Sequence, residues 1–159
     1  MTASLSLRRP RQEIRAETRA SPARPVLLAT LEVPFDPSAA AFAVDSAVEA
    51  GQPLVVVNAV ELLLAPASLM LGYGDVDPSP DDAAKLRAPA ELARSLGIRA
   101  ERLRLKSPHP VAALLQLAAE RRPGLLVFGP DPSRLPRRRY RNAARAVRDR
   151  APCLVWLPA

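Results

Sequence analysis

Short apolar runs recur along the chain, and most are followed by a stretch with helical spacing. Val26 to Leu31 is the first, and a continuous apolar run of this length reads as a strand buried on both faces. A proline-containing loop from Val33 to Pro37 follows. Ser38 is the expected N-cap of a helix in which Ala41, Phe42, Val44 and Val48 carry mixed helical spacing and Gly51 takes the C-cap position. Leu54 to Val60 is a valine-rich second strand. The stretch from Leu62 to Pro80 fits no period and is expected to be a long loop with at most a short helical turn. Loops of that length are uncommon without a function, and Leu69 to Tyr73 could serve as an exposed apolar patch or a lid, or could fold back on the domain.

A helix is predicted from Pro80 or Asp81 to Leu96, with Asp81 and Asp82 at its positive end and Gly97 closing it. Ile98 to Leu105 alternates apolar and basic residues, as an edge strand does. Pro110 suits a first helical position, and Val111, Leu114, Leu115, Leu117 and Ala118 form one stripe behind it. Leu125 to Phe128, bounded by Gly124 and Gly129, is another core strand. After a Pro-Asp-Pro-Ser loop comes an alanine- and arginine-rich helix, and Leu154 to Leu157 ends the series. Strands alternating with helices predict an α/β fold, a parallel sheet covered on both faces and linked by right-handed crossovers. The 159 residues suit one domain.

Charge changes this picture at two places. The net charge is +7. Residues 1–24 hold six arginines against two glutamates, residues 130–150 eight arginines against two aspartates, and everything else is mildly acidic. The first 24 residues lack any apolar period, so they are expected to be a disordered basic tail rather than a secretory signal, with the folded domain at 25–159. No apolar run approaches a membrane span. One cysteine, Cys153, allows no internal disulfide and fits a reducing compartment, so a cytoplasmic location is expected.

The arginine helix carries the candidate chemistry. Ligands of open α/β sheets sit beyond the carboxyl ends of strands, where helix N-termini favour anions. Arg134, Arg137, Arg138 and Arg139 fall at such a helix start, where cations oppose the dipole, and an anion near Gly129 would resolve the conflict. Helical phase puts Tyr140, Ala143, Ala144, Val147 and Ala151 on one face and Arg138, Arg141, Arg145 and Arg148 on another. Three readings stay open: a solvated face, a site for an anion or acidic partner at Arg134, Arg137, Arg138 and Arg141, or contact with nucleic-acid phosphates. The absence of interleaved aromatics counts against the last. His109, in a Pro-His-Pro turn without Cys or acidic neighbours, makes a poor metal ligand. No nucleophile–base order or paired-carboxylate spacing supports an enzyme.

The run Ala151-Pro152-Cys153-Leu154-Val155, with Val26–Ala29 leading to a helix that ends at Gly51 and with Leu125–Gly129, resembles the universal stress protein family over residues 25–158. That resemblance implies a five-stranded parallel sheet in the order 3-2-1-4-5, of the adenine nucleotide alpha hydrolase-like kind, usually paired into dimers. It also implies that some members bind ATP, through a pattern G-x2-G-x9-G-[ST] after the fourth strand. Here Gly129 takes the first glycine, while Pro132, Asn142 and Ala143 stand at the other three positions. The family's aspartate after the first strand would fall on Leu31 or Val33, with Glu32 between them. Proline fixes φ and lacks the N–H, so the pattern predicts ATP binding that is weak or lost, and no cofactor. Glu32, Gly129, Arg134, Arg137, Arg138, Arg141, Asn142 and Ala143 are the candidate nucleotide or anion residues. The resemblance further implies a homodimer with Cys153, Val155 and Trp156 at or near its interface, and an apolar edge strand gives a physical reason for it. The expected function is a non-enzymatic stress-response regulator acting through dimerisation and an acidic-protein or polyanion partner. The alternative is a nucleotide- or anion-binding regulator with an arginine-rich pocket.

Overall fold

The strand Val26–Leu31 (β1), apolar but for Thr30, is the centre of the sheet, which explains why every one of its side chains is buried. The computed structural model describes residues 22–63 and 77–159, so residues 1–21 and the Leu69–Tyr73 patch lie outside the described residues. Behind β1 come α1 (Pro37–Ala50), β2 (Leu54–Glu61), α2 (Pro80–Ser95), β3 (Ala100–Ser107), α3 (Pro110–Arg121), β4 (Leu125–Phe128), α4 (Arg137–Arg150) and β5 (Leu154–Trp156). All pairings are parallel, and the strand order is β3-β2-β1-β4-β5. The fold is the one expected from the strand–helix alternation.

Successive residues of a strand point to opposite faces, and β1 divides accordingly. Leu27, Ala29 and Leu31 pack with Leu114, Ala143, Ala144 and Val147 of α3 and α4. Val26 and Leu28 pack with Ala39, Val44, Leu86 and Ala90 of α1 and α2. The helical phase expected for α4 holds: Ala143, Ala144 and Val147 are buried while Arg138, Arg141, Arg145 and Arg148 are exposed.

Two local expectations are corrected. The N-cap of α1 is Asp36, not Ser38: its carboxylate accepts from the Ala39 N–H at 3.0 Å, and the Ser38 hydroxyl donates to the same carboxylate. Pro37 is pre-set for the first helical position, so the helix starts earlier than the serine suggested. β3 begins at Ala100 rather than Ile98. The Ile98 N–H still bonds the Ala93 carbonyl at 2.9 Å, and Gly97 adopts φ +81°, so these residues finish α2 before pairing with Leu54 begins.

Candidate functional site

The strand order reverses between β1 and β4, so the crevice of this sheet lies beyond their carboxyl ends. Main chain bonds across that crevice. Phe35 and Pro130 form an antiparallel bridge, the Asp36 N–H donates to the Gly129 carbonyl at 2.9 Å, and the Asp131 N–H donates to the Pro34 carbonyl at 2.9 Å. The loops after β1 and β4 are thereby zipped together. Gly129 is part of the closure, because a Cβ on it would stand 2.1 Å from the Ala39 Cβ in the first turn of α1. Its lack of a side chain is accounted for by helix–strand packing.

On the other side of β1 a three-residue clasp crosses the ends of two strands. Glu32 follows β1 with φ 62°, a left-handed conformation rare for glutamate. Two hydrogen bonds hold it: its N–H donates to Asn58 Oδ1 at 2.9 Å, and its carboxylate accepts from the Glu61 N–H at 2.6 Å. The fully buried Thr30 fixes the same turn by donating its hydroxyl to the Val33 carbonyl at 2.7 Å. Arg139, in the first turn of α4, reaches Glu32 at 3.2 Å and Glu61 at 3.3 Å. The clasp borders an open surface depression of about 360 Å³ between α3 and α4, whose lining includes Leu31, Val111, Ala143, Asn142 and Arg150.

The other arginines divide by position. Arg134 donates twice to Asp82 of α2, at 2.7 and 3.2 Å. That guanidinium holds the Asp82 carboxyl below the usual carboxylate range. Arg137 and Arg141 flank Tyr140 and Pro132 in a shallow depression of about 300 Å³. α4 starts after Pro136 with no side-chain cap, so its free N–H groups and these cations share one end of the helix. Tyr140 packs on Phe128 with ring centroids 6.2 Å apart, and burial pushes its phenol up, with Asp36 adding to the effect.

Of the residues expected from the sequence, Arg137 and Arg141 are brought together, with Arg138 exposed beside them. Arg134 and Glu32 face internal partners. Asn142 and Ala143 stand inside α4, not at its start, and Ala143 is a core residue at 4% exposure. Sequence reasoning missed Asn58 and Glu61 altogether, named Arg139 only as one of the cations at the helix start, and passed over Asp36. The acid at the junction of the first and fourth strands is Asp36, past Leu31 and Val33, and its Asp-Pro-Ser capping signature was the legible signal. Nothing local marks Glu61. Among the described residues no group of His, Cys, Asp and Glu is arranged to hold a metal, and His109 is an exposed cap of α3.

At the sheet edge, Cys153 and Val155 pack on the α3–α4 side of the core. Burial pushes the Cys153 thiol up, away from reactivity. Trp156 stacks on Phe42 of α1 at 4.6 Å, and Leu154 is 71% exposed. The open apolar surface of β5 therefore centres on Leu154.

Residues 22–157 match the profile of the universal stress protein family. The chain belongs to this family. Solved universal stress proteins share the fold at low identity. One in complex with cAMP is 22% identical, with a TM-score of 0.57, covering 87% of this chain and 98% of its own. One from Archaeoglobus fulgidus is 18% identical with a TM-score of 0.55, covering 84% and 92%. The Archaeoglobus fulgidus protein in complex with dAMP is 19% identical with a TM-score of 0.52, covering 84% and 96%. No curated protein matches the chain. Among the described residues of this family member, no helix is long and apolar enough to cross a membrane.

Proposed function

We propose that this universal stress protein is a non-enzymatic cytoplasmic regulator that works as a homodimer through partner contacts and binds ATP weakly or not at all. The observation that supports the reading is the main-chain bonding across the crevice between β1 and β4, where the Asp36 N–H donates to the Gly129 carbonyl. Similar structures hold cAMP and dAMP. In this chain Pro132 offers no N–H, and Ala143 offers no hydroxyl and is buried. Each missing bond to a charged oxygen costs about 1.5–3 kcal/mol, so losing several lowers affinity by orders of magnitude. The exposed Leu154 on edge strand β5 supports dimerisation, since an uncovered apolar edge invites pairing.

Calorimetry and thermal melting with ATP, AMP and cAMP test the ligand side, with no rise in Tm expected at millimolar nucleotide. Micromolar, magnesium-dependent ATP binding by the wild type would overturn it. A second reading, an anion-binding regulator, is favoured by one feature: Arg137 and Arg141 flank an uncapped helix start. Sulfate or a polyanion that raises Tm, and fails to do so after Arg137→Gln and Arg141→Gln, supports that reading over the first.

A further inference from the structure

The outward face of α4 carries cations that the rest of the described protein leaves unpaired. Arg138, Arg141, Arg145 and Arg148 recur every three or four residues, so each stands about one turn from the next. They lie on the far side of the helix from the buried Ala143, Ala144 and Val147. Among the described residues Arg138, Arg141 and Arg145 make no ion pair, and Arg148 reaches only its neighbour Asp149 at 3.2 Å. Arginines elsewhere in the domain are treated differently: Arg87, Arg121 and Arg134 each meet a carboxylate. Like charges three and four residues apart repel, and those near the helix start also oppose its dipole, so the stripe weakens the helix that carries it. A polyanion laid along the stripe relieves that repulsion.

What the face lacks identifies the polyanion. The exposed side chains of α4 are arginines, Asn142 and Asp149, and none is apolar. Protein partners are held by buried apolar or aromatic anchors, and a membrane surface by an apolar helix face. α4 offers no free ring either, since Tyr140 is half-buried and packs on Phe128. Single strands use such rings to stack their bases, whereas the bases of a duplex stack on one another and leave phosphates as the contact. From Arg138 to Arg148 the helix rises about 15 Å, and one strand of B-DNA carries a phosphate about every 3.4 Å along its axis, so the stripe spans several successive phosphates. More cations join at the end of the sheet where α4 finishes. There the Gly124 N–H donates to the Pro25 carbonyl at 3.1 Å and Leu125 pairs with Leu154, so residues 1–21, with five arginines against two glutamates, attach at that end. We propose that the arginine face of α4 is a docking surface for duplex DNA, held through its phosphates without reading sequence. This rests on the reading that the protein works through partner contacts, and it names the partner; it uses neither the β1–β4 crevice nor a nucleotide.

The test measures binding of the full-length protein to two short DNA duplexes of unrelated sequence, over salt from about 50 to 200 mM. The two should bind alike, with log K falling linearly as log salt rises. Arg138→Gln with Arg145→Gln should flatten that slope by roughly 0.9 per arginine removed and weaken both duplexes equally. Arg87→Gln with Arg99→Gln removes the same charge from α2 and the turn behind it, and should leave the slope unchanged. Alanine at positions 138 and 145 serves if the glutamine variant misfolds, since it keeps the helix propensity. No duplex binding at the low-salt end, equal flattening by the α2 control, or tighter binding of a single strand than of the duplexes overturns the proposal. So does a polyglutamate peptide that binds through Arg138 and Arg145 while the duplexes do not. That last result would leave the partner-contact reading standing, which separates its failure from this one.

Discussion

Gly129 and Ala39 face each other so closely that a methyl on Gly129 would lie 2.1 Å from the Ala39 methyl. The contact joins the end of β4 to the first turn of α1, at the point where the two loops are zipped by main-chain bonds. Gly129→Ala is therefore an overpacking change with backbone on both sides, expected to destabilise by about 1–3 kcal/mol. Ala39→Gly alone should cost about 1 kcal/mol from helix propensity. In the double variant part of the clash is relieved, so denaturant unfolding should show a loss smaller than the sum of the two. Additive losses would mean that the two methyl positions do not meet.

The Arg134–Asp82 pair predicts a specific pH dependence. Asp82 has its carboxyl lowered by hydrogen bonding to Arg134, so the folded state binds its proton less readily than the unfolded chain. The stabilisation is present above the unfolded carboxyl range, about pH 3.9, and is lost as pH falls through the lower folded value. The stability difference between wild type and Arg134→Gln should stay constant near neutrality and shrink on acidification below about pH 4. Carboxyl titration by NMR should find Asp82 titrating higher in the variant. An unchanged Asp82 titration would dispose of the pairing.

Edge strand β5 predicts where association is sensitive. Leu154 is the exposed side chain of the strand, whereas Cys153 and Val155 pack inward. Leu154→Asp should leave the stability within about 0.5 kcal/mol of wild type, as surface changes do, and weaken the proposed dimer. Trp156→Asp should weaken it too but also destabilise the protomer, since it breaks the stack on Phe42. Sedimentation equilibrium separates these outcomes, and a wild-type monomer at micromolar concentration removes the dimer.

The start of α4 predicts a trade between stability and anion binding. Arg137 and Arg138 occupy the positive end of a helix that has no side-chain cap. Replacing each with Glu should stabilise the protein by about 0.3–1 kcal/mol through the helix dipole. The same changes should remove any stabilisation by sulfate. If thermal melts show the glutamate variants less stable, the arginines serve the fold rather than a partner.

Sequence alone determined the layers of this protein. β1 and β4 were legible to the residue because each is an apolar run, broken in β1 only by Thr30 and bounded in β4 by glycines, and α4 was legible as a helix, though not in its bounds, because its alanine face and arginine stripe repeat with helical period. Those signals are local: period, caps and burial are written within a few residues of one another. The final segment Ala151–Val155 likewise carried the family resemblance, and with it the strand order. Only the tertiary structure decided what stands at the ends of the strands. Arg139 lies 107 residues from Glu32 and 78 from Glu61, and no local pattern links them. Their meeting depends on β1 and β2 ending side by side in register, Leu31 against Ala59, and on the start of α4 being folded over them. The same holds for Gly129, whose sequence position suggested a phosphate contact and whose neighbour proved to be Ala39. Long side chains and loop backbones are placed by sheet order and crossover geometry, which are sums over the whole chain.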